Sequence, residues 1–405
     1  MKNFILQVVN AGFSFLFLIL IALYLGPEKR GIINVVNNFN GILILLLGFG
    51  FSSIVVYLAN SKAHSLNKIF YFGLTLTLFS CIIYLISVFI YFNNQHEYQG
   101  TYILQLILFF CIFFNSINSQ ILYSQNYFFV QNIALLIGNF ISILILWFLT
   151  YTSYNGHLFV GLLLMIVVQI TPLLFNLYFI YFNKLVTKIE IFNLKTIKSF
   201  FNYSLIGYIG NLVQTIVYKG DVLVLKNIVE RSELGKFGLG ISLSQFIWLL
   251  PTSMSSIIYS KTSKLILSFD VVKDFLKNLK YLLIIQIFIG FFSLLIVKIF
   301  SSTSILGPYT SSLNYFLKSL PGVCVFSFSI VLGSFFAGLG KQKINTIGAI
   351  IGFIFYGISI YPLSYKYGIT GTIFSTTCAY LLNTLYLFFN FIKIYKNTIN
   401  NYEQV

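Results

Sequence analysis

The chain alternates between long apolar segments and short polar connections. Windows of about twenty apolar residues, the length that crosses a bilayer as a helix, recur along the whole sequence. The segments are continuous apolar runs rather than ten-residue alternations, which argues against a β-barrel. The pattern therefore predicts an all-α polytopic membrane protein with twelve transmembrane helices, at residues 4–25, 32–58, 69–92, 102–123, 128–150, 158–182, 203–226, 238–260, 281–300, 317–339, 345–364 and 370–392.

The seventh predicted span carries charged residues. Its stretch Asn211 to Lys226 contains Lys219 and Asp221, and each charge inside a bilayer costs roughly 2.5 to 3.5 kcal/mol on insertion scales. At about 100° per residue these side chains fall on one helix face, together with the uncharged polar residues Gln214, Thr215 and Tyr218. We interpret this face as the wall of a cavity that accepts a charged ligand. The alternatives are a structural pair of Lys219 with Asp221, or lysines that extend to the headgroups.

Polar residues also interrupt earlier spans. The first span carries Gln7 and Asn10, the second carries Asn34, Asn37 and Asn38, and the fourth carries Asn115 and Asn118. In lipid, an amide side chain either bonds a neighbouring helix, at about 0.6 to 2 kcal/mol, or lines water. We expect a cavity lined by the amides of the first, second and seventh spans, namely Gln7, Asn10, Asn34, Asn37, Asn38, Asn211 and Gln214.

The two halves of the chain resemble each other. The run LGPEKRG, followed by FSSIVVYLANSK, has a counterpart in VERSELG followed by SMSSIIYSKTSK. This spacing predicts two six-helix bundles related as parallel repeats, with a substrate site between them. The predicted parts are an N-terminal bundle at 1–182, a cytoplasmic amphipathic linker at 183–202, and a C-terminal bundle with a short cytoplasmic tail at 203–405.

Composition fits a membrane protein. The chain is 58% hydrophobic and 8% charged, with a mean hydropathy of +0.90, outside the range of soluble proteins. Most lysines lie in connections on the side of the N-terminus, which places both termini in the cytoplasm. The net charge of +16 therefore indicates topology and not nucleic-acid binding. The basic connections 183–202 and 261–280 are expected along the anionic leaflet, and the first segment is read as a retained span.

Signatures of catalysis are missing from the sequence. It has no P-loop, no GxSxG and no HExxH motif, and its three histidines lie in separate connections. The four cysteines lie in apolar segments without the spacing of metal ligands. We therefore predict a protein that is not an enzyme, with no catalytic residue, metal or cofactor.

Several motifs, in this order, resemble those of a transporter family. They are ALYLGPEKRGIINVV with LLLGFGFSSIVVYLANSK, then YKGDVLVL with ELGKFGLGISLSQ, then YPLSYKYGITGTIFSTTCAYLL. They are similar to motifs of the polysaccharide flippases in the multidrug/oligosaccharidyl-lipid/polysaccharide exporter superfamily, and the resemblance covers nearly the whole chain. Asp221 stands where that family usually has an acidic residue.

The resemblance implies a flippase for repeat units of O-antigen, a part of lipopolysaccharide, or of a related polysaccharide. Such a protein moves an undecaprenyl-pyrophosphate-linked oligosaccharide from the inner to the outer leaflet of the bacterial cytoplasmic membrane by alternating access. A polysaccharide polymerase and a chain-length regulator are the implied protein partners. Two alternatives stay open. One is an ion-coupled exporter of small cationic compounds from the same superfamily, which predicts buried carboxylates that attract cations. The other is a membrane-embedded polysaccharide polymerase or acyltransferase.

Overall fold

The protein is helical throughout the part that the structure describes. A computed structural model describes residues 2–60, 64–92, 100–149, 156–190, 194–262, 269–302 and 304–403, and no strand occurs among them. The helices are α1 Lys2–Gly48, α2 Phe51–Asn60, α3 Leu66–Phe92, α4 Tyr102–Ser124, α5 Phe128–Leu149, α6 Leu158–Phe182, α7 Leu194–Leu225, α8 Arg231–Gln245, α9 Leu249–Thr262, α10 Phe269–Ser302, α11 Thr310–Gly338 and α12 Gln342–Glu403. Short 3-10 segments lie at Phe246–Trp248 and Ser304–Tyr309. The predicted all-α membrane architecture is confirmed.

Helix boundaries differ from the predicted spans. Within the described residues, nine helical stretches are long and apolar enough to cross a membrane. Two of these stretches lie in α1 and α12, which have 47 and 62 residues, more than one bilayer crossing requires. Each of the two helices is interrupted by a glycine with positive φ, Gly26 at 74° and Gly368 at 58°. Gly26 lies between the predicted spans 4–25 and 32–58, and Gly368 lies between 345–364 and 370–392. The count of twelve spans stays a prediction.

The chain divides into two compact units. The first unit ends at Tyr208 and the second begins at Ile209. Helix α7 begins at Leu194, so the last nine residues of the predicted linker 183–202 are already helical. The two-bundle boundaries and the parallel repeats remain predictions.

Both units pack two helical segments closely through a glycine. In the first unit a Cβ at Gly138 of α5 would lie 3.0 Å from the carbonyl oxygen of Val168 in α6. In the second unit a Cβ at Gly352 would lie 2.8 Å from the carbonyl oxygen of Ala379, across the break of α12. Small residues allow this approach of membrane helices.

The second basic connection is helical for much of its length. The predicted loop 261–280 contains the start of α10, because Phe269 already begins that helix. Val272, Phe275 and Leu279 recur at helical spacing and pack against the α11 and α12 side chains of the same core. The exposed lysines of this segment occupy the other face of α10, at Lys273, Lys277 and Lys280. This part of the connection is therefore an amphipathic helix whose apolar face is buried by protein, and its position along the anionic leaflet stays a prediction.

Candidate functional site

Asp221 is buried inside the second unit. Its side chain is 5% exposed and points at α12. The phenolic hydroxyl of Tyr356 donates to Oδ1 at 2.9 Å, and the hydroxyl of Thr376 lies 2.9 Å from both carboxylate oxygens. Thr376 also lies 3.0 Å from the carbonyl oxygen of Thr372. A hydroxyl has one hydrogen, so Thr376 either donates to an ionised Asp221 or accepts from a protonated one while donating to Thr372.

The alternative of a structural pair between Lys219 and Asp221 does not match the structure. Among the described residues, no ion pair joins Asp221 to Lys219 or to Lys226. The hydroxyl groups of Tyr356 and Thr376, both on α12, bond the carboxylate oxygens instead. A helical wheel shows only which residues share a face of α7. Packing against α12 adds the hydroxyl donors of Tyr356 and Thr376, which lie more than 130 residues further along the chain.

A pocket adjoins Asp221 within the second unit. It holds about 340 Å³ of empty space including its open side, which is too small for a lipid-linked oligosaccharide. Side chains from α7, α8, α11 and α12 meet here with Trp248 of the 3-10 segment. The lining residues are Tyr218, Asp221, Ile241, Ser244, Gln245, Trp248, Ser319, Gly322, Val323, Ile373, Thr376, Thr377 and Tyr380.

Lys219 and Lys226, the two lysines of the predicted polar face, are half-buried. Lys219 lies within the helix, whereas α7 ends at Leu225, so Lys226 follows the last helical residue. The backbone N–H of Lys226 still donates to the carbonyl oxygen of Val222 at 3.1 Å. The two residues therefore stay in helical register, about 10 Å apart along the axis.

The other predicted residues of α7 differ in exposure. Asn211 is exposed and Gln214 is half-buried. Thr215 is buried, and its hydroxyl lies 2.9 Å from that of Tyr218. The predicted polar face is therefore divided, because Thr215 and Asp221 are enclosed by the second unit while Asn211 is accessible.

Several predicted amides of the first unit bond other residues. Asn139 of α5 donates to the side-chain oxygen of Asn10 at 3.0 Å. The Nδ2 of Asn37 lies 3.7 Å from the sulfur of Met165, and Asn38 donates to the carbonyl oxygen of Asn34 at 2.8 Å. Asn10 and Asn37 thus follow the interhelical alternative. Gln7 is exposed, and Asn34 is 5% exposed.

Sequence reasoning noted Asn115 but missed Asn176 and Gln131, the amides that bond with it across α4, α5 and α6. Asn176 of α6 donates to Asn115 of α4 at 2.8 Å and to Gln131 of α5. It also missed Tyr356 and Thr376, because single hydroxyls in apolar segments do not stand out by pattern. The signal available was indirect, since a buried carboxylate requires hydrogen-bond donors and these had to come from another span.

The comparisons with known proteins agree with this architecture. The model of a family described as polysaccharide biosynthesis protein matches residues 2–260. An uncharacterized membrane protein of Methanocaldococcus jannaschii is 24% identical over 401 residues, which cover 87% of this chain and 75% of that protein.

Two solved structures share the fold. An inward-facing multidrug resistance MATE family transporter of the MOP superfamily has a TM-score of 0.70 at 16% identity, covering 96% of each chain. The lipid II flippase MurJ, in an inward closed conformation, has a TM-score of 0.69 at 19% identity, covering 98% of this chain and 90% of that one. The resemblance to the exporter superfamily is thereby confirmed. This chain belongs to the polysaccharide biosynthesis protein family and has the fold of the MOP superfamily transporters.

Proposed function

We propose that this protein is a flippase for a polyprenyl-pyrophosphate-linked oligosaccharide. It moves the lipid from the inner to the outer leaflet of the bacterial cytoplasmic membrane by alternating access. The observation that carries the proposal is a pair of half-buried lysines, Lys219 in α7 and Lys226 directly after its end, in a member of the polysaccharide biosynthesis family. MurJ, which has a similar fold, is by its name a flippase of a lipid.

The charges of α7 suit an anionic headgroup. A pyrophosphate carries about two negative charges, and cationic donors must offset the hydration that it loses. Asp221 is the one carboxylate in the sequence of α7, and hydroxyl groups bond its oxygens. The helix therefore offers a partly accessible positive charge rather than a negative one.

The exposed and half-buried amides complete the proposed path. Asn211 and Gln214 on α7, with Gln7 and Asn10 on α1, have the hydrogen-bonding capacity to contact sugar hydroxyls. Asn34, Asn37 and Asn38 belong to the same proposal, although Asn37 and Asn38 already have partners within the first unit. In this scheme Lys219 meets the pyrophosphate first, and Lys226 draws it outward.

The proposal also includes the membrane topology, the cargo and the protein partners. Twelve spans in two parallel six-helix repeats place both termini in the cytoplasm. O-antigen or a related polysaccharide repeat unit is the cargo, and a polymerase and a chain-length regulator act on it next. The finding that supports this role is the description of the matching family.

An ion-coupled exporter of small cationic compounds is the second candidate. The MATE fold similarity favours it, but such cargo requires an accessible carboxylate. Asp221 is 5% exposed, and the α7 lysines would repel a cation. A membrane polymerase or acyltransferase is the third candidate, and it is less well supported because two solved structures with this fold are by name a transporter and a flippase.

Reconstitution separates these functions. Proteoliposomes would carry a fluorescent polyprenyl-pyrophosphate oligosaccharide in both leaflets, and dithionite would quench the outer one. We expect a quenched fraction above that of protein-free vesicles, with no transport of ethidium in parallel vesicles. Ethidium transport without lipid movement would favour the multidrug exporter and overturn the flippase.

A further inference from the structure

The eighth predicted span is interrupted beside the Asp221 pocket. Helix α8 ends at Gln245, a 3-10 segment covers Phe246–Trp248, and α9 starts at Leu249. Pro251 lacks the N–H that would bond the carbonyl of Ile247. The hydroxyls of Thr252 and Ser253 bond back to the carbonyls of Trp248 and Leu249, at 2.8 Å each. Such features bend and soften a helix locally.

Both arms of this interrupted span are tightly packed on α11. A Cβ at Gly240 of α8 would lie 2.5 Å from the carbonyl oxygen of Ser312. At the other end, a Cβ at Gly338 of α11 would meet the Thr262 hydroxyl of α9 below van der Waals distance. Backbone approach this close holds each arm against α11. Any rearrangement near the pocket therefore falls on the residues between them, 246–251.

Trp248 connects the softened segment to the pocket. Its indole N–H donates to the carbonyl oxygen of Val323 at 3.0 Å. Its ring lies 6.3 Å from that of Tyr218, 5.0 Å from Phe326 and 6.1 Å from Tyr380. Tyr218 and Tyr380 line the same pocket as Asp221, so Trp248 packs on both helices that hold the carboxylate and its partners.

Asp221 is the group whose charge changes most readily here. The α7 residues at the pocket are Tyr218 and Asp221, with Lys219 adjacent in sequence, and α12 contributes Tyr380, with Tyr356 bonded to Asp221. Tyrosine ordinarily titrates near pH 10, and a response that came from Lys219 would persist in Asp221→Asn. The lining residues from α8 and α11 are not titratable, being Ile241, Ser244, Gln245, Ser319, Gly322 and Val323. An ionised carboxylate in this position is costly, and Thr376 has acceptors for either protonation state.

We propose that Trp248 is a positioning residue that couples the protonation of Asp221 to the bend of the 246–251 segment. When the proton leaves, the hydroxyl of Thr376 turns to the carboxylate, and the Tyr218, Tyr380 and Trp248 rings repack. Because the arms on α11 are fixed, the 3-10 segment changes its bend. This inference rests on the second unit alone and does not depend on the identity of the cargo.

Intrinsic fluorescence tests the coupling. The chain has two tryptophans, so Trp147→Phe leaves Trp248 as the single emitter. In detergent or nanodiscs we expect Trp248 emission to change with pH between about pH 4 and 9. The change should be lost in Asp221→Asn and return, with a shifted midpoint, in Asp221→Glu. A pH-independent emission in a folded Trp147→Phe protein would overturn the proposal, as would a response to NaCl at fixed pH in place of a response to pH.

A second variant separates bending from a direct electric effect on the indole. Pro251→Ala restores the N–H donor and straightens the segment, so the pH response should become smaller than in the parent. Pro172→Ala is the matched control, since it removes a proline from the interior of α6 in the other unit. A response of the same amplitude in Pro251→Ala and Pro172→Ala would mean that the charge acts on the indole without the bend, and would overturn the coupling.

Discussion

The hydroxyl of Tyr356 donates to Oδ1 of Asp221 at 2.9 Å, from a residue 135 positions further along the chain. This contact ties the first half of α12 to α7. It lies beside Gly220, where an added Cβ would be 2.7 Å from the same hydroxyl. The absence of a side chain at Gly220 is therefore what lets Tyr356 reach the carboxylate.

Asp221→Asn should impair function without preventing membrane insertion. The amide nitrogen cannot accept from Tyr356 or Thr376, and one charge-assisted hydrogen bond contributes about 1.5 to 3 kcal/mol. If transport depends on that contact, surface polysaccharide should fall roughly tenfold or more. Asp274→Asn is the control, because Asp274 is exposed on α10. Normal polysaccharide in the Asp221→Asn strain, at equal protein level, would remove Asp221 from the mechanism.

Gly220 and Tyr356 should show energetic coupling. Gly220→Ala forces the Tyr356 hydroxyl to move, and overpacking of this kind costs about 1 to 3 kcal/mol. The cost should shrink when Tyr356→Phe has already removed the hydroxyl. Thermal unfolding of the purified single and double variants measures the coupling.

The control for that cycle is Gly357→Ala. No atom of another helix lies within 4 Å of a Cβ added at Gly357, so the midpoint of thermal unfolding should stay the same or rise in this variant. Additive effects of Gly220→Ala and Tyr356→Phe would show that the two groups do not compete for space.

Glu190 should fasten the segment after α6 to the start of α3. Its carboxylate accepts from Ser65 at 2.6 Å and from Asn67 at 3.0 Å, and Asn67 accepts from the backbone of Thr187 at 2.9 Å. The hydrogen bonds from Ser65 and Asn67 lower the pKa of Glu190 from its ordinary value. The stabilisation is thus present above the unfolded pKa of about 4.3 and is lost as pH falls through the lowered value.

Hydrogen exchange of the 183–190 peptide checks this attachment. At neutral pH we expect this peptide to exchange faster in Glu190→Ala than in the wild type. In the wild type, exchange should become faster only at acid pH, after correction for the intrinsic exchange rates. Glu230→Ala, at an exposed acidic residue of the second unit, should leave this peptide unchanged. Equal exchange in Glu190→Ala and wild type would show that the carboxylate does not hold the segment.

Topology is tested by reporter fusions. The charge distribution predicts Lys195 in the cytoplasm and Tyr309 on the opposite side. Lys62 is predicted in the cytoplasm and Glu97 on the opposite side, and both lie outside the described residues. Paired alkaline phosphatase and fluorescent protein fusions at all four positions give the orientation. An active alkaline phosphatase fusion at Lys195 would place this residue in the periplasm and contradict the predicted topology.

Sequence alone was sufficient for features that depend on composition and failed for those that depend on packing. Continuous apolar runs require helices in lipid, so the all-α architecture followed from composition, while the resemblance to the superfamily came from the motifs around Gly26, Asp221 and Gly368. The breaks at Gly26 and Gly368 lie between predicted spans, whereas some helix ends were less accurate, since α7 begins at Leu194 and not at residue 203. A helical wheel of α7 cannot show that Tyr356 and Thr376 will reach Asp221, since the choice of neighbouring helix is set by packing such as that of Gly220.

The positive charges of Lys219 and Lys226 are central to the proposed mechanism. Lys219→Gln and Lys226→Gln keep hydrogen bonding but remove the charge, whereas Arg keeps it. We expect export to fall in each Gln variant, to fall further in the double variant, and to recover partly with Arg. Lys298→Gln, at an exposed lysine of α10, is the control for a general loss of positive charge. Since Asp221 bonds hydroxyls and not these lysines, a fall cannot come from a broken ion pair with it. Full export in the Lys219→Gln/Lys226→Gln double variant would mean that the lysines are structural or reach the headgroups, and the cationic path would be wrong.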